Sequence, residues 1–502
     1  MASEKRFTKP EWGWIMYDWA NSVYYTIIGA AIFPIYFQSL APIGDVWWGY
    51  GTSIATFVVA LLAPVLGAIA DYHGMKKKLF SVFLVVGVVF TSTMAIFDQW
   101  QLVLVGYIIS FIGVMGSILF YDSFLTDVTT RERMDKVSAT GFAMGYVGGS
   151  TIPFLISIAL VFIMDSSALS IKLSVILTSF WWAVFSIPFL KNVKHTHSLG
   201  ELPKGFISAA FKNVGHTFKD IVKRKGLFLF ILAYFFYIDG VNTVIHMSTI
   251  YGATLGLDTI GMIAALLVTQ LVAAPFSILF ARLADKVGSI KMLLISVCVY
   301  FVICITGFYM GASLEPWQQD YYDVFDNAIS TSEQTDEIAQ LRSSGISILS
   351  TETRHDDMMA AIDEANLDST AAAKLKTALS DYITTLDTEG SYDAALKRSN
   401  IMFWCMAVLV GTCQGGIQSL SRSYFGKLVP PKKSNEYFGF FDIFGKFAAV
   451  IGPALYAFLS NLTGRPSMGI LSLMFLFVIG AVILVAGKKH FAAVEASVQQ
   501  EL

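Results

Sequence analysis

Ionisable residues stand inside stretches that are otherwise apolar, among them Asp18, Asp122, Asp239, Arg422 and Lys446. A charge at the centre of a bilayer costs about 3 kcal/mol on insertion scales, so each is expected to face protein or a water-filled cavity. Depth sorts them. At about 1.5 Å per residue, Asp239 lies about twelve residues into its stretch and Lys446 about ten into its own, near mid-membrane. There, one negative and one positive group either hold the ammonium and carboxylate of a solute or neutralise each other. Asp239 is also the first candidate for proton coupling, because a desolvated carboxylate readily takes its neutral form. His246 is the second, since imidazole titrates near neutrality, against a purely structural role. Asn21, Tyr24, Tyr25, Asn242, Gln270, Gln414 and Gln418 are candidate solute contacts around that site, although each taken alone suits an interhelical hydrogen bond better than a ligand contact. Asp18, Asp122 and Arg422 lie nearer the ends that adjoin basic loops, where an Asp122–Arg422 salt bridge would close a gate.

The elements that must position these residues follow from composition. The chain has 502 residues, 55% hydrophobic and 14% charged, with a mean hydropathy of +0.61. That is a membrane composition, and a span needs about 20 apolar residues. Twelve such stretches are present, roughly 12–38, 47–70, 79–97, 101–125, 138–164, 169–190, 227–251, 259–284, 290–312, 400–424, 437–461 and 467–487. They are long continuous runs rather than alternating strands, which excludes a barrel. The first run is too long for the apolar core of a cleaved signal and is expected to stay as the first span. Cys298, Cys304, Cys405 and Cys413 all fall within spans, so neither a disulfide framework nor a thiolate metal site is expected.

Lys and Arg gather in alternate loops: Lys5, Arg6 and Lys9, Lys76 to Lys78, Arg131 and Arg133, Lys427, Lys432 and Lys433, and Lys488 and Lys489. This places both termini in the cytoplasm of a multi-pass protein, read as one of the bacterial inner membrane. The expected organisation is a six-span half (1–190), a basic linker with an amphipathic helix on the inner membrane surface (191–225), spans seven to nine (226–313), an outer insertion (314–398), spans ten to twelve (399–487) and a tail (488–502). The insertion holds seventeen Asp and Glu against six Lys and Arg, a net of −11. Leu375, Leu379, Ile383 and Leu386, after Ser369 and Thr370 as caps, predict a helix there. Asp320, Asp323 and Asp326 share a helix face that is either solvated or a cation site.

The chain repeats itself. Gly67, Asp71, Gly74 and Lys76 to Lys78 spell G-x-x-x-D-x-x-G-x-K-K, and Ala281, Asp285, Gly288 and Lys291 give a weaker copy displaced by 214. Gly145 and Pro153 match Gly445 and Pro453 at a displacement of 300; the difference, 86, is close to the length of the insertion. Asp122 and Arg422 are also 300 apart and hold opposite charges at matching places. The fold expected is all-α: twelve transmembrane helices in two pseudo-symmetric six-helix halves, with a small outer helical insertion. Asp71 and Asp285 are expected to serve the cytoplasmic gate beside Asp18, Asp122 and Arg422. Gly141, Gly145, Gly148, Gly149 and Pro153 give the fifth span a smooth, bendable face. Aligning Ile35-Tyr36 with Ile250-Tyr251, 215 residues on, sets Tyr24 opposite Asp239, so Asn21, Tyr24 and Tyr25 are expected at the central site and Asp18 at the inner gate.

The Gly67–Lys78 signature resembles the loop motif between the second and third helices of the major facilitator superfamily. Tyr17-Asp18-Trp19-Ala20-Asn21, Gly141 to Gly149, Asp239-Gly240-Val241-Asn242 with Ile250-Tyr251-Gly252, the run Gln414 to Ser423, and Gly445-Lys446-Phe447 resemble its vacuole-effluxer-like branch. The resemblance covers the chain except 314–398. It implies a secondary transporter working by alternating access, and the fungal members imply amino-acid efflux from the vacuole. Amino acids or short peptides are the first substrate class, with proton coupling; a lipid-like or amphipathic solute, or a non-transporting receptor or scaffold using the insertion, are the alternatives. No Walker loop, H-E-x-x-H or G-x-S-x-G motif is present, so no enzyme, metal or cofactor is expected. The partners expected are the bilayer, a small solute and protons, with no nucleic acid; what the insertion binds is left open.

Overall fold

A computed structural model describes residues 6–41, 44–164, 167–203, 205–329, 341–342, 345–351, 353–365 and 367–500. Among the described residues the regular structure is helical throughout. α1 starts at a capping box, Thr8 with Glu11, and runs Lys9–Tyr24, through a π-helical Tyr25–Ala31, to Phe33–Leu40. α2 (Gly44–Ala70), α3 (Met75–Thr93) and α4 (Trp100–Ser123) follow. α5 is a second composite, Met134–Met144, π-helical Gly145–Thr151 and Ile152–Ile163, and α6 (Ala168–Asn192) completes the first half. After the linker helix α7 (Phe206–Lys223) come α8 (Lys225–Thr254), α9 (Thr259–Val287) and α10 (Ser289–Ile329). The insertion contributes α11 (Arg354–Glu364) and α12 (Ser369–Glu389), and the chain ends on α13 (Ser391–Leu428), α14 (Ser434–Thr463) and α15 (Pro466–Ser472 with Met474–Gln500).

Ten of these helices are long and apolar enough to cross a membrane. The two others that align with predicted spans are α1, interrupted by its π segment, and α3, which opens on Lys76, Lys77 and Lys78. The nineteen residues of α3 reach about 28 Å at 1.5 Å per residue, close to the hydrocarbon thickness. Large apolar side chains face outward all along the bundle, Leu61, Phe162, Ile163 and Leu462 among them. In water such a surface would aggregate; in lipid it is the solvent-matched belt.

The buried core falls into two main bodies. One unites α1 to α6 around Trp14, Tyr24, Tyr107 and Trp182; the other unites α8 to α10 with α13 to α15 around Tyr237, Tyr300, Phe425 and Phe477. With no hydrophobic drive between helices in lipid, the two bodies hold together by close packing and buried hydrogen bonds. α2 packs on α14, and α5 on α9 and α13. Glycine makes the first seam possible: a Cβ on Gly67 would lie 2.5 Å from the Asn435 carbonyl oxygen, and one on Gly439 2.8 Å from that of Ala63.

α10 and α13, of 41 and 38 residues, run unbroken through both expected edges of the insertion. Leaving the bilayer removes no hydrogen bond from a helix, so composition changes there while the backbone does not. Leu375, Leu379, Ile383 and Leu386 are buried as their spacing predicts, but the cap of α12 is Asp368, whose carboxylate accepts from the N–H groups of Thr370 and Ala371 at 2.9 and 2.8 Å, rather than Ser369 or Thr370. Their core is continuous, through Tyr321, Phe325 and Leu314, with that of the second body. Glu315 fastens the base, accepting from Arg465 Nε at 2.8 Å, Ser467 N at 2.6 Å and Ser467 Oγ at 2.7 Å. Of the acidic trio, Asp326 is paired with Arg342 at 3.0 Å, and no group of three metal-ligating side chains occurs among the described residues.

Candidate functional site

Glu11, the loop after α2, Arg131 and Arg133, the linker and the end of α15 converge on one side, the basic side. The polar contacts between the two bodies lie toward that side. At their centre Arg422, on α13, enters the first body. Its Nη1 donates to Asp122 at 3.0 Å and its Nη2 to Asp18 at 3.1 Å, while Nε and Nη2 reach the hydroxyl and carbonyl of Ser138 at 3.0 and 3.1 Å. The guanidinium also lies over the rings of Trp14 and Phe142, at 4.6 and 4.4 Å. With 6% of the Arg422 side chain exposed, this is a desolvated charge that depends on its partners.

A second contact surrounds Asp71, which is fully buried. It accepts from the backbone N–H groups of Asn435 and Glu436 at 3.0 and 3.1 Å and from Asn435 Nδ2 at 2.8 Å, so it caps α14 from the other body. A carboxylate at a helix N-terminus meets both free N–H groups and the positive end of the dipole. Burial pushes Asp71 up to about 7, with the Lys76 charge and the Asn435 donors pulling the other way. Lys76 Nζ reaches Asp127 at 2.7 Å and Ser434 Oγ at 3.0 Å. The linker is strapped over this pair: Asp127 Oδ1 accepts from Thr196 N, His197 N and Thr196 Oγ1 at 2.9, 2.8 and 2.7 Å, and Leu199 N donates to the Asp71 carbonyl at 2.9 Å. Beneath the strap, burial and the Lys76 charge pull His195 down to about 4. Farther out, burial would raise Glu11, but bonds from Arg133, Thr129 and Thr8 outweigh it and hold the carboxyl below its usual range.

A third contact departs from expectation. Asp285 is exposed and caps no helix among the described residues; Asp135 makes the contact instead, accepting from Ser423 Oγ at 2.5 Å, Lys427 Nζ at 2.6 Å and Ser289 Oγ at 2.8 Å. The helix start opposite Asp285 carries a carboxylate of its own, and like charges keep Asp285 out.

The predicted mid-membrane pair is not formed. Lys446 pairs with Asp442, one turn earlier on the same face of α14, whereas Asp239 accepts from Gly452 N at 2.9 Å. Gly452 is six residues past Lys446, about 9 Å along the helix, which takes the two charges apart. Tyr24 also departs from its expected place: it is fully buried in the first body, where Ser110 Oγ donates to its hydroxyl at 3.1 Å. Tyr25 instead stays 39% exposed and lies within electrostatic reach of Asp442 and Asp122. Asn21 is buried, donating to the Tyr17 carbonyl of its own helix at 2.7 Å. Gln418 accepts from Tyr146 Oη across the bodies at 3.1 Å. Gln414 and Gln270 each have an amide oxygen without a partner among the described residues, Asn242 is half-buried, and His246 is exposed. Sequence reasoning missed Asp442, Asp127, Asp135 and Lys427. The four-residue step from Asp442 to Lys446 was a visible signal; the others lie at span ends, where charge passes for ordinary loop composition.

The family description "Vacuole effluxer Atg22 like" matches residues 48–319 and 397–497. The chain belongs to this family. The match breaks across 320–396, where the insertion lies. An uncharacterised MFS-type transporter of Bacillus subtilis, YxiO, is 39% identical over 495 residues, covering 96% of this chain and 95% of that one. Autophagy-related protein 22 of Yarrowia lipolytica is 22% identical over 348 residues, 65% of this chain and 46% of that protein, so the chain spans about half the length of such fungal relatives. Among solved structures, the fucose:proton symporter FucP in the outward conformation superposes with a TM-score of 0.57 at 12% identity, covering 95% and 98% of the two chains. An outward-facing bacterial homologue of the iron transporter ferroportin, soaked with iron, gives 0.54 at 10% identity, covering 97% and 98%. The fold is that of the major facilitator superfamily, and the chain is a multi-pass membrane transporter.

Proposed function

We propose that this transporter moves small polar solutes, amino acids or short peptides first, by alternating access between the two bodies, with proton coupling. The observation that carries the reading is Arg422, donated by one body and bound by Asp18 and Asp122 of the other. A buried ion pair across a seam is a two-state element: paired it seals the basic side, separated it opens it. Tyr25, Asp442 and Lys446 line the solute route beside the seam, with Gln270, Asn242, Gln414 and Gln418 as further contacts. In this reading both termini and the linker are cytoplasmic, the membrane is a bacterial inner membrane, and the conformation is closed inward. The family's description supports carriage of a solute; the charge pairs on both walls support a polar one.

Counterflow into liposomes tests it. Purified protein, preloaded with a mixture of amino acids and dipeptides, should accumulate at least one labelled member of the set faster than protein-free vesicles, and more so across a proton gradient. No exchange of any member would remove the solute class.

A further inference from the structure

Among the described residues, Asp239 is an acidic group of the membrane interior with no salt-bridge partner. Asp239 is fully buried on α8; its Oδ1 accepts from Gly452 N at 2.9 Å and lies 3.5 Å from Thr243 Oγ1, while Oδ2 has no partner among the described residues. On the helices packed against α8, the charged or titratable side chains of this region include Asp442, Lys446 and Tyr456 on α14, Arg422 on α13 and Tyr300 on α10; residues 474–487 of α15 carry none, and α8 itself adds Tyr234, Tyr237 and His246. Asp442 and Lys446 are spent on each other, Arg422 on the first body, and among the described residues Gly452 and Thr243 are the hydrogen-bond partners of Asp239. A buried carboxylate without a cation is costly, and the smallest cation that relieves it is a proton.

The acceptor's place gives that proton a consequence. Pro453 has no N–H, so the α14 ladder is interrupted beside Gly452. A Cβ on Gly452 would lie 2.0 Å from Thr243 Oγ1 and 2.7 Å from Asp239 Oδ1, so α8 grips α14 at its weakest point. Below the grip, α14 carries the Asp442–Lys446 pair and the start that Asp71 caps. We propose that Asp239 is a protonation site that controls the hinge of α14 at Gly452–Pro453. As an anion it holds Gly452 N–H by a charge-assisted bond; as a neutral acid it is the weaker acceptor and the lower part of α14 is released to swing from α2. The step balances simply: an O–H bond forms at Oδ2 with a proton from water on the open side, and the same bond breaks to return the proton to water on the other. This deepens the coupled-transport reading and rests on it for its purpose, but its test does not need a substrate.

Spin labels on Cys introduced at the exposed Lys78 and Lys432, with Cys298 and Cys405 changed to Ser, report the opening of the basic side in the full chain in nanodiscs. Between about pH 9 and about pH 5 the long-distance population should grow several-fold, spanning the range over which a buried carboxyl titrates. Asp239→Asn, which keeps a neutral acceptor oxygen, should fix the distribution near its low-pH form, and Thr243→Ala should move the midpoint upward by about half a pH unit. If Asp239→Asn fails to fold, the Thr243→Ala shift decides alone. A wild-type pH response that survives Asp239→Asn, or a wild-type distribution that does not move while liposomes still exchange solute, overturns the inference and leaves the transport reading standing. A pH response without exchange of any solute does the reverse.

Discussion

In the first body the loop after α2 places Asp71 under the start of α14, where it takes three N–H bonds. In the second body Asp285, 214 residues on, faces the start of α5 and takes none that the structure shows. The surrounding parts correspond: Ser123 donates to Asn435 as Ser423 donates to Asp135, each pair displaced by 300. The charges do not. Asp127 with Lys76 on one side becomes Lys427 with Asp135 on the other. One latch thus uses a carboxylate against backbone amides and a helix dipole; the other uses a side-chain ion pair with serines. Duplication preserved the positions, while the chemistry at each diverged once a carboxylate appeared on the helix start itself.

The largest expected effect comes from the Arg422 contact, which belongs to neither latch. Arg422→Ala leaves Asp18 and Asp122 without their cation, and the closed form should lose about 3–5 kcal/mol, read as a lower unfolding midpoint in detergent. Exchanging the charges, Arg422→Asp with Asp122→Arg, should recover part of both stability and exchange; no recovery would count against direct pairing. Next, Asp71→Ala removes the acceptor of three buried N–H groups and should destabilise by about 2–3 kcal/mol, whereas Asp285→Ala should stay within about 0.5 kcal/mol. Equal effects would erase the contrast between the halves. The smallest effect concerns the strap. His195 is held to about 4 in the folded chain, against about 6.5 when free, so the unfolded strap binds the proton more readily. Its docking is therefore complete above about 6.5 and weakens as pH falls toward about 4. Amide exchange of residues 193–200, corrected for intrinsic rates, should accelerate across that window in wild type but not in His195→Gln.

The spans, the insertion and the repeat were legible because each rests on long-range averages of hydropathy, charge or spacing. The Asp122–Arg422 contact was legible for a different reason: opposite charges at repeat-related places on inward-facing helices have few other partners. Asp239 and Lys446 mislead because depth along two helices says nothing of rotation about them, and a closer partner on the same helix wins. Tyr24 fails likewise, since neighbouring residues on a helix point about 100° apart and the next tyrosine took the exposed position. The Asp135 contact was hidden by its ordinariness, one acid beside Arg133 and Lys136 in a basic loop.

The continuity of α10 and α13 through the membrane surface has a mechanical consequence. A 41-residue helix is about 60 Å long, twice the hydrocarbon thickness. Because the insertion shares its core with the second body, it forms the long arm of a lever whose fulcrum lies in the bilayer. Under the proposed alternating access, a small tilt of that body is magnified along the insertion, so a bulky reporter fixed on it should register the motion, and a rigid tether between insertion and first body should stall it.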